Sequence, residues 1–414
     1  MSDPTFGISI TRLDNEPRPP VFSDMSVVGL IGTAGQADAQ VFPLDTPVFM
    51  YSDDADKMEA LGEEGTLLEA VRLINAQLGE FAVAAKIVVV RVEEGLDTDA
   101  TIDNIVGNGS TTGLHAFLDA GPETGQIPRL LCAPGFTGQH ESEQANPVVA
   151  ALPEICNKLL AHAVVDGPGT SEQDAIDWRE TISSSRIIPV EPAVKVSRDG
   201  DTVVVPLSPA VVGIGVRRDH EFAGRPFHSW ANQPVQGVVG PSRPINFSLT
   251  DGATEGQTLL GANIGILTRG EMGTASAIAQ GGFVFIGTDN AGEDDLWRFY
   301  NVTRGRDFIH LMFLRTLRFF LGRFNLTGQT IQAVTNTMTT GMRDLKAAGD
   351  ILGFEVKFTR DANSPENLRL GRFTINFAAE EAPVLRYIGI ESSRYRPALD
   401  ALIDDLVGQV GGTG

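Results

Sequence analysis

The first candidate for chemistry in this chain is a glycine-rich turn that follows an apolar run. Gly29, Gly32 and Gly35 have the spacing G-x-x-G-x-x-G. A dinucleotide-binding loop has the spacing G-x-G-x-x-G and opens into a helix whose N-terminus holds the pyrophosphate. Here a proline-containing loop follows the third glycine, and the sequence contains no G-x-x-x-x-G-K-[ST] phosphate loop. The pattern predicts a structural turn, and we expect no cofactor.

Residue types that bind metals are present but are not clustered. The carboxylates of Asp53, Asp54 and Asp56 lack the glycine and the distal glutamate of a calcium loop, so they indicate a solvated helix start. The sequence has no H-E-x-x-H motif and no cysteine pair at zinc spacing. The histidines are scattered along the chain: His115, His140, His162, His220, His228 and His310. We therefore predict no metal site.

Candidate nucleophiles are equally isolated. The segment Gly273–Ala277 contains Ser276 in a small-residue turn, but a catalytic triad also needs a histidine and an acid. Neither His220 nor His228 has a neighbourhood that indicates one. Cys132 and Cys156 are the only cysteines, and we expect both to be small buried residues of a chain folded in a reducing compartment. A bridge or a reactive thiol is the alternative. We predict no catalytic residues.

The charge of the chain is strongly negative and unevenly distributed. The formal net charge is −21 over 414 residues. Residues 1–100 carry 18 acidic and 6 basic side chains, whereas residues 301–414 carry 12 and 14. An acidic protein without clustered Lys and Arg is a poor nucleic-acid binder. The acidic N-terminal part of one subunit could attract the mildly basic C-terminal part of another, which would allow self-assembly. An acidic surface kept for solubility explains the same charges.

Apolar runs alternate with helical patterns over much of the chain, which indicates an α/β fold with a parallel sheet covered on both faces. No apolar run approaches the ~20 residues that span a bilayer, and no secretory signal is present, so we expect no membrane partner.

Residues 93–113 predict a loop and a domain boundary, and the glycine-rich residues 221–292 predict short strands and loops. The predicted strands are 26–32, 86–92, 129–135, 163–168, 186–192, 202–207, 354–359, 369–377 and 384–391, the last two paired. The predicted helices are 53–61, 66–75, 146–161, 171–184, 208–220, 300–324, 327–347 and 398–407.

The N-terminus predicts a strand on a stiff extended segment. Phe6, Ile8 and Ile10 alternate with small or polar residues, and Leu13 follows them. Prolines at 17, 19 and 20 then hold the backbone extended before the first core strand. A strand held away from its own fold offers unpaired N–H and C=O groups to another sheet. This indicates strand addition between subunits, and hence a protein that polymerises.

Taken in order along the chain, these segments resemble the tail sheath proteins of contractile bacteriophage tails and related contractile injection systems. The resemblance covers nearly the whole chain. No single segment is specific for the family, but the order of the segments along the chain is. The segments that carry it are Phe6–Pro20, Val27–Ala34, Leu67–Asn75, Lys86–Val92, Pro209–Gly213, Trp230–Val238, Leu260–Gly270 and Asn301–Ile309.

The resemblance implies an architecture. We expect an extended N-terminal arm at 1–20 and an α/β assembly domain formed from both chain ends, 21–95 with 300–397. Between them, residues 96–299 would form an inserted α/β middle domain with a subtilisin-like, non-catalytic fold that faces outward. Residues 398–414 would form a C-terminal helix and a loose tail.

The resemblance also implies a mechanism and partners. Subunits would stack as rings around a tail tube, donate arms to neighbours, and contract to drive the tube through a target cell envelope. The expected partners are further copies of the chain, the tail tube protein, and the baseplate and tail terminator proteins, with no nucleic acid. We expect the protein in the virion tail, assembled in the bacterial host cytoplasm. No nucleotide site would supply the energy, which would be stored in a metastable extended lattice.

Three groups of residues are candidates for these contacts. The donated strand would contain Phe6, Ile8, Ile10 and Leu13. Either the segment with Leu385, Tyr387, Ile388 and Ile390 is the acceptor strand, or the tail beyond Pro397 is a second arm. At ~100° per residue, Arg304, Arg315 and Arg318 lie within about 60° of one another on the 300–324 helix and could contact an acidic tube. The alternative for these arginines is a core helix paired with acids. Arg343 and Lys346 on the next helix are a rival contact.

The competing hypothesis is an oligomeric α/β enzyme, a hydrolase or a nucleotide-binding protein. Such an enzyme would tolerate loss of residues 1–20, whereas a sheath subunit would lose its polymer.

Overall fold

A computed structural model of the chain describes residues 20 and 22 and the ranges 24–79, 83–141, 144–270 and 281–410. It divides after Val384 into a large unit and a C-terminal unit that begins at Leu385. Two sequence predictions lie outside the described residues: the N-terminal strand with Phe6, Ile8, Ile10 and Leu13, and the Gly273–Ala277 turn.

The strands in chain order are β1 (Val28–Thr33), β2 (Pro47–Tyr51), β3 (Lys86–Val92), β4 (Leu130–Cys132), β5 (His162–Asp166), β6 (Ile187–Glu191), β7 (Val194–Arg198), β8 (Asp201–Val205), β9 (Gln233–Val235), β10 (Gly240–Pro241), β11 (Gly265–Arg269), β12 (Phe283–Ile286), β13 (Ile351–Lys357) and β14 (Asn376–Glu381).

The α-helices in chain order are α1 (Ala55–Leu61), α2 (Leu67–Ala76), α3 (Thr98–Val106), α4 (Ala120–Thr124), α5 (Pro147–Leu159), α6 (Glu172–Glu180), α7 (Ser208–Glu221), α8 (Glu255–Gly261), α9 (Tyr300–Leu317), α10 (Gly328–Ala348), α11 (Pro365–Arg369) and α12 (Pro397–Val410). Among the described residues, no helix is both long enough and apolar enough to cross a bilayer.

A nine-stranded mixed sheet forms the centre of the large unit, in the order β2-β3-β1-β4-β5-β6-β11-β12-β9. The run from β3 to β11 is parallel, and antiparallel strands close both ends. β7, β8 and β10 form a small antiparallel sheet, and β13 and β14 form a two-stranded one. The predicted parallel sheet is therefore present.

Alternation along the strands builds a core on each face of the large sheet. In β1 and β3, Leu30 and Val89 point to the core that contains α2 and α7, whereas Ile31 and Val90 point to the core that contains α3 and α5. These strands are buried on both faces, which explains their continuous β-branched sequences.

The loop predicted at 93–113 is wrong, whereas the domain boundary predicted there stays a prediction. The segment contains α3, whose first turn is capped by Asp97 accepting a hydrogen bond from the Ala100 N–H. In addition, β1 pairs with both β3 and β4, from Val28 beside Leu130 onward, so one sheet continues across residue 95. The boundary predicted between 21–95 and 96–299 therefore does not separate two sheets.

A third core lies between α9, α10 and the β13–β14 hairpin. It joins Phe308 and Met312 of α9 to Met338 and Met342 of α10, and it includes Met25 from the start of the described chain. Residues from the two ends of the chain thus meet in this core. The helix predicted at 300–324 ends earlier, at Leu317, and residues 318–323 form turns in which Gly322 has a φ of 71°.

Candidate assembly surfaces

Arg304 does not lie on a surface, so its prediction as a tube contact is wrong. Its side chain is fully buried in the large unit. It donates to both carboxylate oxygens of Asp219 on α7, at 3.0 and 2.6 Å, and to the Met25 carbonyl at 3.2 Å. The guanidinium also lies 4.9 Å from the centre of the Trp230 ring. A buried guanidinium needs such partners because an unpaired buried charge is very costly.

The Asp219 carboxylate completes this buried pair from the other side. It also accepts a hydrogen bond from the Ser26 hydroxyl at 3.1 Å. Burial raises the pKa of Asp219 although the charge of Arg304 and the hydrogen bonds oppose the shift. The pair therefore joins α7, α9 and residues 25–26, which lie next to the predicted N-terminal arm in the sequence.

The other predicted basic residues are exposed. Arg315 lies on α9 and Arg318 directly follows it, while Arg343 and Lys346 lie in the C-terminal half of α10. α9 and α10 pack on each other through the third core. Along each helix, the buried residues of that core are interspersed with the exposed basic side chains. The two helices thus present basic groups to solvent on adjoining elements.

The first described residues lie against the same two helices. The Phe22 ring stacks on Phe308 with ring centres 5.6 Å apart, and Arg315 donates to the Phe22 carbonyl at 3.3 Å. A Cβ added at Gly341 on α10 would lie 3.5 Å from the Pro20 side chain. The chain therefore enters the described structure across α9 and α10.

The β13–β14 hairpin is a two-stranded sheet with side-chain burial that alternates along β14. On its inner face, the Phe377 ring meets Phe313 of α9 edge-on at 5.1 Å, and Glu381 accepts a hydrogen bond from Arg306 at 2.6 Å. Within the described residues, β13 and β14 pair only with each other, so each has an unpaired edge. An isolated pair of strands is marginally stable, and open edges favour pairing with further strands.

The strand predicted at 384–391, and its pairing with 369–377, is wrong. β14 pairs with β13, in the register Asn376 beside Lys357, and residues 382–395 have neither helix nor strand. Pro383 cannot donate a hydrogen bond to a ladder, which ends β14. The four predicted acceptor residues are all largely exposed: Leu385, Tyr387, Ile388 and Ile390. Their role in contacts between subunits stays a prediction.

Sequence reasoning found the C-terminal helix but missed its apolar stripe. Leu399, Leu402, Ile403, Leu406 and Val407 of α12 are all exposed. Their spacing of three and four residues is the signal that could have identified the stripe.

The glycine-rich turn is explained by packing. Gly29 lies inside β1, and a Cβ there would come within 2.4 Å of Leu131 and 3.0 Å of Phe117. At Gly32 an added Cβ would lie 2.3 Å from the Thr66 hydroxyl oxygen. Residues 35–46 after β1 form turns rather than a helix, so the arrangement is not that of a dinucleotide-binding loop.

Among the ranges that the structure describes, no three His, Cys, Asp or Glu side chains are grouped as metal ligands. Cys132 and Cys156 are buried free thiols, as predicted, and burial raises the pKa of Cys156 to about 12. Asp54 caps α1 by accepting from the Lys57 N–H, in agreement with the helix start predicted there.

Two buried carboxyl groups lie at the ends of β5 and β6. Burial raises the pKa of Asp166 to about 6 and that of Glu191 to about 7. Asp166 accepts from the Ser208 N–H at 2.7 Å at the start of α7, and Glu191 accepts from the Gly169 N–H at 2.8 Å. These hydrogen bonds tie loops to the sheet, so the two groups have a structural explanation.

Comparisons with known proteins give similar curated relatives and similar solved structures, although no family model matches the chain. The chain is 28% identical over 381 residues to a prophage major tail sheath protein of Pseudomonas aeruginosa (strain UCBPP-PA14), covering 91% of this chain and 93% of that protein. It is 26% identical over 401 residues to the tail sheath protein of Escherichia phage P2, covering 93% and 94%.

The solved structures agree in fold. The contracted sheath complex of PVC, an extracellular contractile injection system, matches with a TM-score of 0.68 and 14% identity, covering 96% of this chain and 99% of that one. The contracted helical sheath of the anti-feeding prophage matches with a TM-score of 0.66 and 16% identity, covering 95% and 100%. The resemblance predicted from the sequence is confirmed: the chain is similar to tail sheath proteins over nearly all of its length.

Proposed function

We propose that this chain is the structural subunit of a contractile tail sheath, which polymerises around a tail tube and contracts to drive it through a target envelope. The observation that carries the proposal is similarity to curated sheath proteins over about nine-tenths of the chain, with a fold match of similar extent. The same relatives are structural proteins, which favours this function over the oligomeric enzyme. We place the protein in a phage-type tail assembled in the bacterial cytoplasm.

Self-assembly would join neighbouring subunits through shared sheets. Within the described ranges, the β13–β14 hairpin has two open edges, and the predicted strand with Phe6, Ile8 and Ile10 precedes the point where the chain enters across α9 and α10. A strand donated by a neighbour would satisfy the unpaired groups of such an edge. Each added hydrogen bond contributes only ~1 kcal/mol net, so a stable mesh would arise by repetition around the lattice.

The C-terminal unit is the second candidate for a donated arm. Residues 382–395 form no strand, although they include the large apolar side chains of Leu385, Tyr387, Ile388 and Ile390, all of which are exposed. An extended apolar segment of this kind would be stabilised by joining a sheet in another subunit. We therefore propose this segment as a donated strand rather than as an acceptor edge.

The proposed tube contact is the exposed basic surface of α9 and α10. Arg315, Arg318, Arg343 and Lys346 are exposed in the mildly basic C-terminal third of an otherwise acidic chain. A subunit with a net charge of −21 needs such local complementarity to approach an acidic tube. Contacts with the baseplate and terminator proteins belong to the same proposal. So does an inserted region at 96–299 that faces outward and has a subtilisin-like, non-catalytic fold.

Deleting residues 1–20 tests the function directly. Electron microscopy of the purified full-length protein should show long hollow cylinders, whereas the truncated protein should remain a folded monomer, because the described core begins only at Met25. Circular dichroism and size-exclusion chromatography check its fold and mass. Discrete small oligomers from both proteins would contradict the proposal.

A matched pair of full-length variants sharpens this test. Replacing Phe6, Ile8 and Ile10 by aspartate alters one face of the predicted strand, and replacing Ser9 and Thr11 alters the other. We expect cylinders to be lost only in the first variant. Equal loss in both variants would contradict the predicted apolar face.

A further inference from the structure

The C-terminal helix α12 presents an apolar stripe to solvent. At ~100° per residue, its five exposed apolar side chains cover an arc of about 140°. They are Leu399, Leu402, Ile403, Leu406 and Val407, each about half exposed or more. An amphipathic helix of 14 residues has little stability in water by itself, so such a stripe is expected to pack against another surface.

An apolar groove in the large unit has matching chemistry. It has a cavity volume of about 360 Å³ and lies between the turns that follow α9, the first half of α10 and residues 371–375. Leu321 and Phe324 at its mouth are 76% and 51% exposed, while Val334 and Met338 form its buried floor. Large apolar side chains at the mouth of a groove indicate a protein contact surface.

The charges around the two surfaces are opposite. Arg323 and Arg372 are exposed, and each lies between two residues that line the groove. On α12, Asp400, Asp404 and Asp405 lie outside the apolar arc, with Asp400 next to its edge. Basic side chains at the groove rim would therefore face the acidic flanks of the helix.

We infer that the apolar stripe of α12 docks into this groove on a second copy of the chain. Both surfaces belong to one sequence, so a homopolymer contains one helix for each groove. The exposed segment 385–390, already proposed as a donated strand, would precede the helix into the same neighbour. This inference rests on the proposed sheath function and extends it with a helix-in-groove contact.

Disulfide trapping tests the inference in the full-length protein. A double variant, Leu321→Cys with Ile403→Cys, places one thiol at the groove and one on the stripe, at positions too exposed to disturb folding. The native Cys132 and Cys156 are buried and do not compete. After assembly and mild oxidation, a non-reducing gel should show a ladder at multiples of the 44.3 kDa chain. The control, Leu321→Cys with Ala401→Cys, moves the second thiol to the opposite face of α12 and should lose most of the ladder.

Each other outcome has a definite meaning. An internally linked monomer would show that α12 fills its own groove, and absence of any link would show that it binds elsewhere, such as the tube; either result overturns the inference. A ladder of equal strength in the control would overturn it as well. Electron microscopy of the same samples separates the two proposals: cylinders without a ladder contradict only the docking, whereas absence of cylinders from the unmodified protein contradicts the sheath function.

Discussion

Replacing Asp219 by alanine is expected to destabilise the large unit strongly. The substitution leaves the guanidinium of Arg304 fully buried and without its bidentate carboxylate. Breaking a buried ion pair by removing one partner costs about 3–5 kcal/mol, because the remaining charge is uncompensated. Arg304 keeps its 3.2 Å hydrogen bond to the Met25 carbonyl and its position near Trp230, so we expect about 3 kcal/mol.

The companion variant removes both charges. The double variant, Arg304→Met with Asp219→Ala, leaves neither charge of this pair buried. We expect its free energy of unfolding to exceed that of Asp219→Ala alone by about 1 kcal/mol or more. The measurement is urea unfolding followed by tryptophan fluorescence, since Trp230 lies within 4.9 Å of the guanidinium. Size-exclusion chromatography of the same dilute samples checks that they are monomeric.

An exposed ion pair supplies the control for this experiment. Lys158 and Glu154 form a 2.6 Å pair on the surface of α5, and Glu154→Ala should shift the urea midpoint very little because water screens this exposed pair. The reasoning is refuted if Asp219→Ala shifts the urea midpoint no more than Glu154→Ala does. It is also refuted if the double variant is no more stable than Asp219→Ala alone, because the unpaired charge would then not be the cause.

Three further predictions concern the buried carboxyl group of Glu191, the tightly packed Gly29, and the exposed Arg315 and Arg318. Burial raises the pKa of Glu191 to about 7, above its unfolded value, so lowering the pH from about 7.5 to about 5.5 should stabilise the protein through this group by roughly 2 kcal/mol. Glu191→Gln should remove that part of the pH dependence of the urea midpoint. Gly29→Val should destabilise by about 1–3 kcal/mol in the same assay, because the added side chain collides with Leu131. Reversing Arg315 and Arg318 to glutamate should reduce the yield of extended tails on preformed tubes while leaving the urea midpoint unchanged.

Each of these predictions has a control. The pH prediction fails if wild type and Glu191→Gln give parallel pH profiles. Gly35→Ala should be nearly neutral, because the nearest atoms to its added Cβ are the ends of the flexible Glu64 and Glu94 side chains, at 3.3 and 3.8 Å. Reversal of the exposed Lys158 and Arg360 to glutamate changes net charge by the same amount outside α9, α10 and the C-terminal unit. Tails that assemble normally with Arg315 and Arg318 reversed would remove those residues from the tube contact.

The central sheet could be predicted from the sequence because burial on both faces produces continuous apolar strands. β3 begins and ends at the predicted residues, Lys86 and Val92. The order of the strands could not be predicted, because no local pattern indicates that β1 lies between β3 and β4. α3 was missed since its polar composition outweighed two informative features, the Asp97 cap and the buried Ile102 and Ile105.

The assembly surfaces show the same limit. The angles between Arg304, Arg315 and Arg318 follow from the helical period alone. They could not reveal that Asp219, 85 residues earlier, faces Arg304 in the interior. The groove that contains Leu321 and Phe373 also depends on contacts between distant segments. Periodicity within one element identifies a face, but the fold decides what lies opposite it.

The junction of Arg304 and Asp219 has a mechanical consequence. It bonds the Met25 carbonyl and the Ser26 hydroxyl to α9 and α7 at one point. α7 lies on the nine-stranded sheet, and α9 contacts the two-stranded one. Tension applied to the chain before Met25 would therefore be shared between elements of both sheets instead of acting on β1 alone.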